Sequence, residues 1–268
     1  MPFNRFAGGL LPPHPNETHP RLYMNALLAP VRLEAIPDTV DFCSEVTSWD
    51  MDGNDGAGDC VVAGADHARV ALGTYAGNPV QSWGRQGCLD IYSELSGYNQ
   101  QTGENDTGLN IQDFLGRWRR DGFNGSKILG FGALQPGSWT RAERVKALYT
   151  FGGLLLGGGL PESAEEQFPG PWEHVAGSPT AGGHCTWTAA EFRTRDELRI
   201  VSWGEAVPSS KAFFMDYLSR QGEAWVIVTE DFIEKNGQNP SGFDLQAMND
   251  ALASLTRERN PLGLKSVN

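Results

Sequence analysis

With 268 residues, 33 acidic against 21 basic side chains and a net charge of −12, the chain can bury roughly three-quarters of its unfolded surface without a covalent staple. So acidic a protein repels phosphate backbones, which excludes nucleic acid as the expected partner. Cys43, Cys60, Cys88 and Cys185 are too few and too scattered for a disulfide framework or a zinc-spaced cluster, so reduced thiols, no metal and no cofactor are the expectation.

Residues 1–40 hold Pro2, Pro12, Pro13, Pro15, Pro20, Pro30 and Pro37 with little periodicity, which predicts an extended arm that wraps its own domain or reaches a partner. No apolar stretch there suits a secretory signal. The longest apolar run, Phe151 to Leu160, is half glycine and far short of the ~20 residues that span a bilayer, so no membrane partner is expected.

The Ala- and Val-rich stretch 61–74 predicts a buried helix with Cys60 at its start. Further helices are expected at Cys88–Leu95, at Leu109–Arg120 and at Thr140–Tyr149. In the second of these, Ile111, Phe114, Leu115 and Trp118 recur at three and four and Gly122 stops the run. After that, 154–156, 184–192, 198–203 and 224–229 read as strands bounded by Gly, Pro or charge. Helices first and strands later predict an α+β fold, as one domain or as two lobes with a cleft between them. Leu245, Met248, Leu252 and Leu255 mark a tail helix, docked on its own core or on a partner. The expected division is an arm at 1–40, a domain at 41–235 whose helical part runs to about 150, and a tail at 236–268.

One thiol stands out. A cysteine at a helix N-terminus has its thiolate favoured by unpaired amides and the helix dipole, and Cys60 takes that place in "GAGDCVVAG". A nucleophile also needs a base. His14 and His19 lie in the arm, where solvated turns are expected, and His174 lies in a Pro/Gly loop. His67 stands two helical turns along from Cys60, about 10 Å away. His184 differs, because Gly182 and Gly183 precede it at the head of a predicted strand and leave room for close backbone approach. Asn54, six residues before Cys60, places a side-chain amide where an oxyanion needs a donor. Asp59 opposes the thiolate by like charge. Cys43, Cys88 and Cys185 read as core thiols. Asp106 and Asp113 suggest a cation site, but Asp106-Thr107-Gly108 reads more simply as a turn capping the next helix.

These residues resemble the papain-like cysteine peptidases. Gly58-Asp59-Cys60 matches that family's nucleophile turn and Asn54 takes the place of its oxyanion Gln. His184 opens a strand as the family's His does, and Ser202-Trp203-Gly204 matches its Asn-Ser-Trp-Gly motif, with Val201 in the place of the orienting Asn. A closer resemblance is to a papain-like group met in phages, prophages and actinobacterial genomes. It rests on the Pro-rich arm, Asn54 to Cys60, Asp106 to Asp113, Gly182 to His184, Trp203-Gly204, Tyr217 and Glu223 to Trp225.

The resemblance implies a helical lobe followed by an antiparallel β-rich lobe with the cleft between them. It implies a phage-encoded thiol hydrolase acting on peptide or isopeptide bonds of a peptide or protein substrate. In it Cys60 attacks the carbonyl, His184 moves the proton, Asn54 and the Cys60 amide hold the oxyanion, and Trp203 shields the pair. Ser202 orients His184, or no third residue does. The other reading is an inactive capsid or tail component that binds neighbouring virion subunits through its arm. Both place the protein in the cytoplasm of a bacterial host or in a phage particle, without a signal peptide.

Overall fold

A computed structural model describes residues 8–137, 139–230 and 245–264. Its backbone is one antiparallel sheet of seven strands: β1 (Thr39–Asp41), β2 (Gly130–Ala133), β3 (Leu154–Pro161), β4 (Thr180–Phe192), β5 (Glu197–Ser202), β6 (Glu205–Ser210) and β7 (Glu223–Val228). The order is β2-β7-β3-β4-β5-β6, with β1 paired to β4. Every residue of β3 and β7 is buried, so neither shows the alternation of a half-exposed strand; elements cover both faces.

The helices are α1 (Asn25–Leu28), α2 (Cys60–Ala76), α3 (Gly84–Ser96), α4 (Ile111–Arg120), α5 (Arg141–Phe151), α6 (Glu162–Gln167), α7 (Lys211–Ser219) and α8 (Leu245–Thr256). α2 packs on β4 and is buried from Cys60 to Ala68, as its small apolar residues require of a central helix. Gly77 ends it with φ +80°, a left-handed stop that glycine adopts without strain. α5 is tied to β4 by a buried ion pair: Arg144 donates from Nε and Nη2 to the two carboxylate oxygens of Glu191 at 2.7 and 2.8 Å.

The four expected helices and four expected strands are present with shifted bounds: α3, β3 and β4 are longer than expected, α4 starts two residues later, and β5 and β7 start one residue earlier. The additional strands are short or carry breakers. β2 is a four-residue Gly-containing segment, and β6 contains Pro208, tolerated because β6 is an edge strand. β1 spans the expected boundary at residue 40, while the boundary at 235 lies outside the described residues. In the tail, α8 docks on the body through Met248 and Leu252, leaving Leu255 exposed. Its Asn249 accepts a hydrogen bond from the Leu262 amide at 2.9 Å. Among the described residues no helix is long and apolar enough to cross a membrane.

Candidate active site

Cys60 is the first residue of α2 and fully buried. His184 lies in β4, opposite Gly158 of β3. Its carbonyl accepts a hydrogen bond from the Tyr217 hydroxyl of α7 at 2.6 Å, so strand pairing and α7 together fix the backbone from which the imidazole extends. The ring is held at its far end: Nε2 lies 2.8 Å from Ser202 Oγ. Nδ1 is buried and has no hydrogen-bond partner. Trp203 follows in the β5–β6 turn with φ +51°, an uncommon backbone for a bulky residue. That twist lays its indole against the imidazole, 4.7 Å between ring centroids, and Phe168 and Trp172 pack edge-on behind it. Val201, where the resemblance would place an Asn, is a buried apolar residue of β5.

Backbone hydrogen bonds from Cys185 and Gly9 reach the Cys60 sulfur and favour the thiolate. Burial outweighs them and pushes the thiol up to about 12, with Asp59 adding a smaller push in the same direction. Burial also drives His184 down to about 3. As it stands the pair is a neutral thiol and a neutral imidazole. Asp59 is itself held well above the usual carboxylate range by burial, which weakens its like-charge effect on the sulfur.

The arm contributes to this burial. Gly8 to Leu11 threads the cleft between the α2 turn and the head of β4. Leu10 donates its amide to Gly183 at 3.1 Å, Leu11 donates to Leu109 at 2.9 Å, and the Leu109 amide donates to Gly9 at 2.8 Å. Further along, Pro12 accepts from the Asn110 side chain at 2.8 Å, His14 meets Asp113 at 2.7 Å, and Arg21 donates to Gln112 at 3.1 Å. Leu22 and Met24 exchange backbone bonds with Ala133 of β2. His14 and His19 are therefore not solvated turn residues: they stack on each other, half-buried against α4.

Asn54 is buried beside the α2 turn, but its amide nitrogen donates to Ala57 O and Asp59 Oδ1, each at 3.2 Å. Both amide protons are spent within the turn, so in this covered state Asn54 braces the loop and does not face an oxyanion. Asp106 also differs from the sequence expectation. Asn110 caps α4 by accepting from Gln112 and Asp113, while Asp106 Oδ1 accepts from the Gly58 amide at 2.8 Å and the Tyr92 hydroxyl at 2.7 Å. Asp106 thus ties the turn before α2 to α3. Neither residue has a local sequence signal for this pairing, since 48 positions separate Asp106 from Gly58.

His67 is buried in α2 with Nε2 on the Asp50 carbonyl at 2.8 Å, away from the thiol as helical spacing requires. His174 lies 3.8 Å from Asp216. Among the described residues two side-chain groups gather three metal-type donors, His14 with His19 and Asp113, and Asp52 with Asp66 and Cys88. In the first the rings stack at 15° instead of converging. In the second Asp66 is engaged by Arg69 and the Trp83 amide, and Asp52 by Ser82 and His67.

No protein-family model and no curated protein matches the chain. Solved structures do. Xylellain, a cysteine protease from Xylella fastidiosa, superposes with a TM-score of 0.60 at 14% identity, over 84% of this chain and 97% of that one. Procathepsin B S9 from Trypanosoma congolense gives 0.54 at 10% identity, over 85% and 88%. The proform of Amb a 11, a cysteine protease and ragweed pollen allergen, gives 0.51 at 15% identity, over 80% and 72%. Identities this low speak for architecture alone, and the architecture is plain: the chain has the papain-like fold.

Proposed function

We propose that the protein is a thiol hydrolase of peptide or isopeptide bonds, with Cys60 as nucleophile and His184 as base, held latent by its own N-terminal arm. The observation that carries this reading is the state of His184. One ring nitrogen is anchored on Ser202 and the other is left without a hydrogen-bond partner, next to a residue whose amide bonds the Cys60 sulfur. His67 also has a buried Nδ1 without a hydrogen-bond partner, but it stands two helical turns from Cys60, whereas His184 adjoins Cys185, whose backbone lies beside the sulfur.

With Nε2–H donated to Ser202, Nδ1 carries the lone pair that takes the thiol proton. The thiolate adds to the substrate carbonyl, and the oxyanion forms against the Cys60 amide at the head of α2, which has no intrahelical acceptor. Asn54 joins it once its amide turns from Asp59. The imidazolium returns its proton to the leaving amine, and water then cleaves the thioester. Trp203 keeps solvent from the His184–Ser202 bond. The phage-borne group that the sequence resembles makes a phage-encoded enzyme the natural origin. A virion component would use the arm on neighbouring subunits, whereas here the arm bonds its own body from Leu10 to Met24, which supports the enzyme.

The test is hydrolysis of labelled casein by full-length protein carrying Leu10→Ala and His14→Ala, which loosen the arm outside the catalytic residues. Added Cys60→Ala or His184→Ala should abolish the activity. Hydrolysis that persists in the Cys60→Ala protein would sink the assignment.

A further inference from the structure

The passage above the thiol has the width of a bare main chain. A Cβ built on Gly9 would collide with the carbonyl and Cα of Gly58, and one on Gly8 with the backbone of Gly183, its carbonyl carbon at 2.6 Å and its nitrogen at 2.7 Å. Real Cβ atoms essentially never come inside 3.0 Å, and here the obstacles are backbone atoms on both sides, which cannot rotate away. The walls are stripped in the same manner. A Cβ on Gly108 would strike the Gly9 carbonyl, and one on Gly183 the Leu10 carbonyl. Glycine therefore faces glycine at Gly8 and Gly9, the Gly9 carbonyl accepts from the Leu109 amide and the Leu10 amide donates to Gly183, while the Leu10 side chain packs beside Gly157 at the edge of the passage.

The Gly8–Gly9 peptide group lies at the point of attack, because Gly9 abuts the Gly58 backbone two residues before Cys60, its amide is one of those that reach the Cys60 sulfur, and the Gly8 carbonyl carbon is one covalent bond from that nitrogen. Any substrate must bring its scissile peptide group to this same place. From this we infer that the site is specific for chains with two consecutive glycines at the scissile bond, and that the arm's Gly8-Gly9 is an internal copy of that substrate. The inference rests on the hydrolase reading and names its substrate class. Cys60 would form a thioester to the first glycine, the second glycine would leave as the free amine with the proton from His184, and water would release the first glycine's carboxylate. The plug escapes this fate because the sulfur meets its N–H and not its carbonyl carbon.

The experiment uses the full chain with Gly8→Ala and Gly9→Ala, which expel the plug by the same steric rule, and internally quenched peptides that differ only in Gly-Gly, Gly-Ala, Ala-Gly or Ala-Ala at the centre. The Gly-Gly peptide should be cleaved at least about tenfold faster than the Ala-Ala peptide, the penalty expected of a methyl forced into a filled site. The same panel is read for binding by fluorescence anisotropy in a Cys60→Ala version of the variant, where turnover plays no part. Equal binding or equal cleavage of Gly-Gly and Ala-Ala peptides would overturn the inference and leave the hydrolase standing. Selective binding of Gly-Gly with no cleavage by the Cys60-bearing protein would support the passage and overturn the hydrolase. If Gly8→Ala/Gly9→Ala does not fold, Leu10→Ala/His14→Ala takes the same panel.

Discussion

The Ser202 hydroxyl lies 2.8 Å from Nε2 of His184, in the place where the resembled family uses the amide of an Asn one residue earlier. A hydroxyl can accept from Nε2–H and so select the tautomer with a basic Nδ1, but it is one neutral hydrogen bond. Its removal should cost about 1 kcal/mol of orientation, so Ser202→Ala is expected to lower kcat/KM about fivefold. Ser202→Thr, which keeps the hydroxyl, should restore most of it. A purely structural Ser202 would show itself as loss of thermal stability with unchanged kcat.

Labelling of Cys60 by iodoacetamide should be slow at neutral pH in the native protein and climb steeply on the alkaline side, since the covered thiol ionises only at about 12. In the Gly8→Ala/Gly9→Ala protein water and His184 both reach the sulfur, and fast labelling should move down to pH 5 to 7. Adding His184→Ala should cancel that gain. A native protein that labels as fast as the variant at pH 7 would show that the arm leaves the cleft in solution.

His184 also sets a pH dependence of stability. Its folded value of about 3 lies below the ordinary 6.5, so between those values the unfolded chain binds a proton that the folded one refuses. The sign follows: stability falls as pH drops from about 6.5 toward 3, with a slope approaching about 1.4 kcal/mol per unit. His184→Gln removes that slope. The difference between the two proteins in urea-unfolding free energy, measured from pH 7 to pH 4, should therefore narrow on the acid side. Burial raises Asp59 and Glu223 in the fold, a contribution common to both proteins that drops out of the comparison.

Glu191→Ala should be the most damaging substitution outside the site. It strands the Arg144 guanidinium, 3% exposed, and also releases the link between α5 and the strand that carries His184. A loss of about 3–5 kcal/mol is expected, read as a lower urea midpoint. The paired change Arg144→Met/Glu191→Leu should recover most of it, because removing both charges leaves nothing unpaired.

Much of this architecture is legible in the sequence because its helices carry strong periodicity. The Ile111, Phe114, Leu115, Trp118 stripe is buried as read, and Cys60 does open its helix. What escaped was governed by distant partners. The sequence pattern ends this strand at Leu156, yet β3 continues through three glycines to Pro161. Those residues have no strand propensity of their own and are fixed by pairing with Gly183, His184 and Cys185. Asp106 reads as a local cap because a carboxylate before Thr-Gly usually is one; its partners arrive from α3 and the turn before α2. Asn54 has the right offset from Cys60 but a competing acceptor, Asp59, that spacing does not reveal. The glycines of the arm gave no signal, since a Gly-Gly pair in a Pro-rich segment reads as flexibility until the passage it fills is seen.

The arm is covalently joined to the body it occupies, and this changes how any substrate must compete. A tethered ligand acts at an effective concentration that reaches the millimolar range for short flexible linkers, and it does so at every dilution of the protein. A free Gly-Gly peptide therefore meets a rival that cannot be washed out. Efficient turnover calls for a substrate that gains additional contacts beyond the passage, or for an event that loosens His14 and Arg21 from α4. Dilution alone would never switch this protein on.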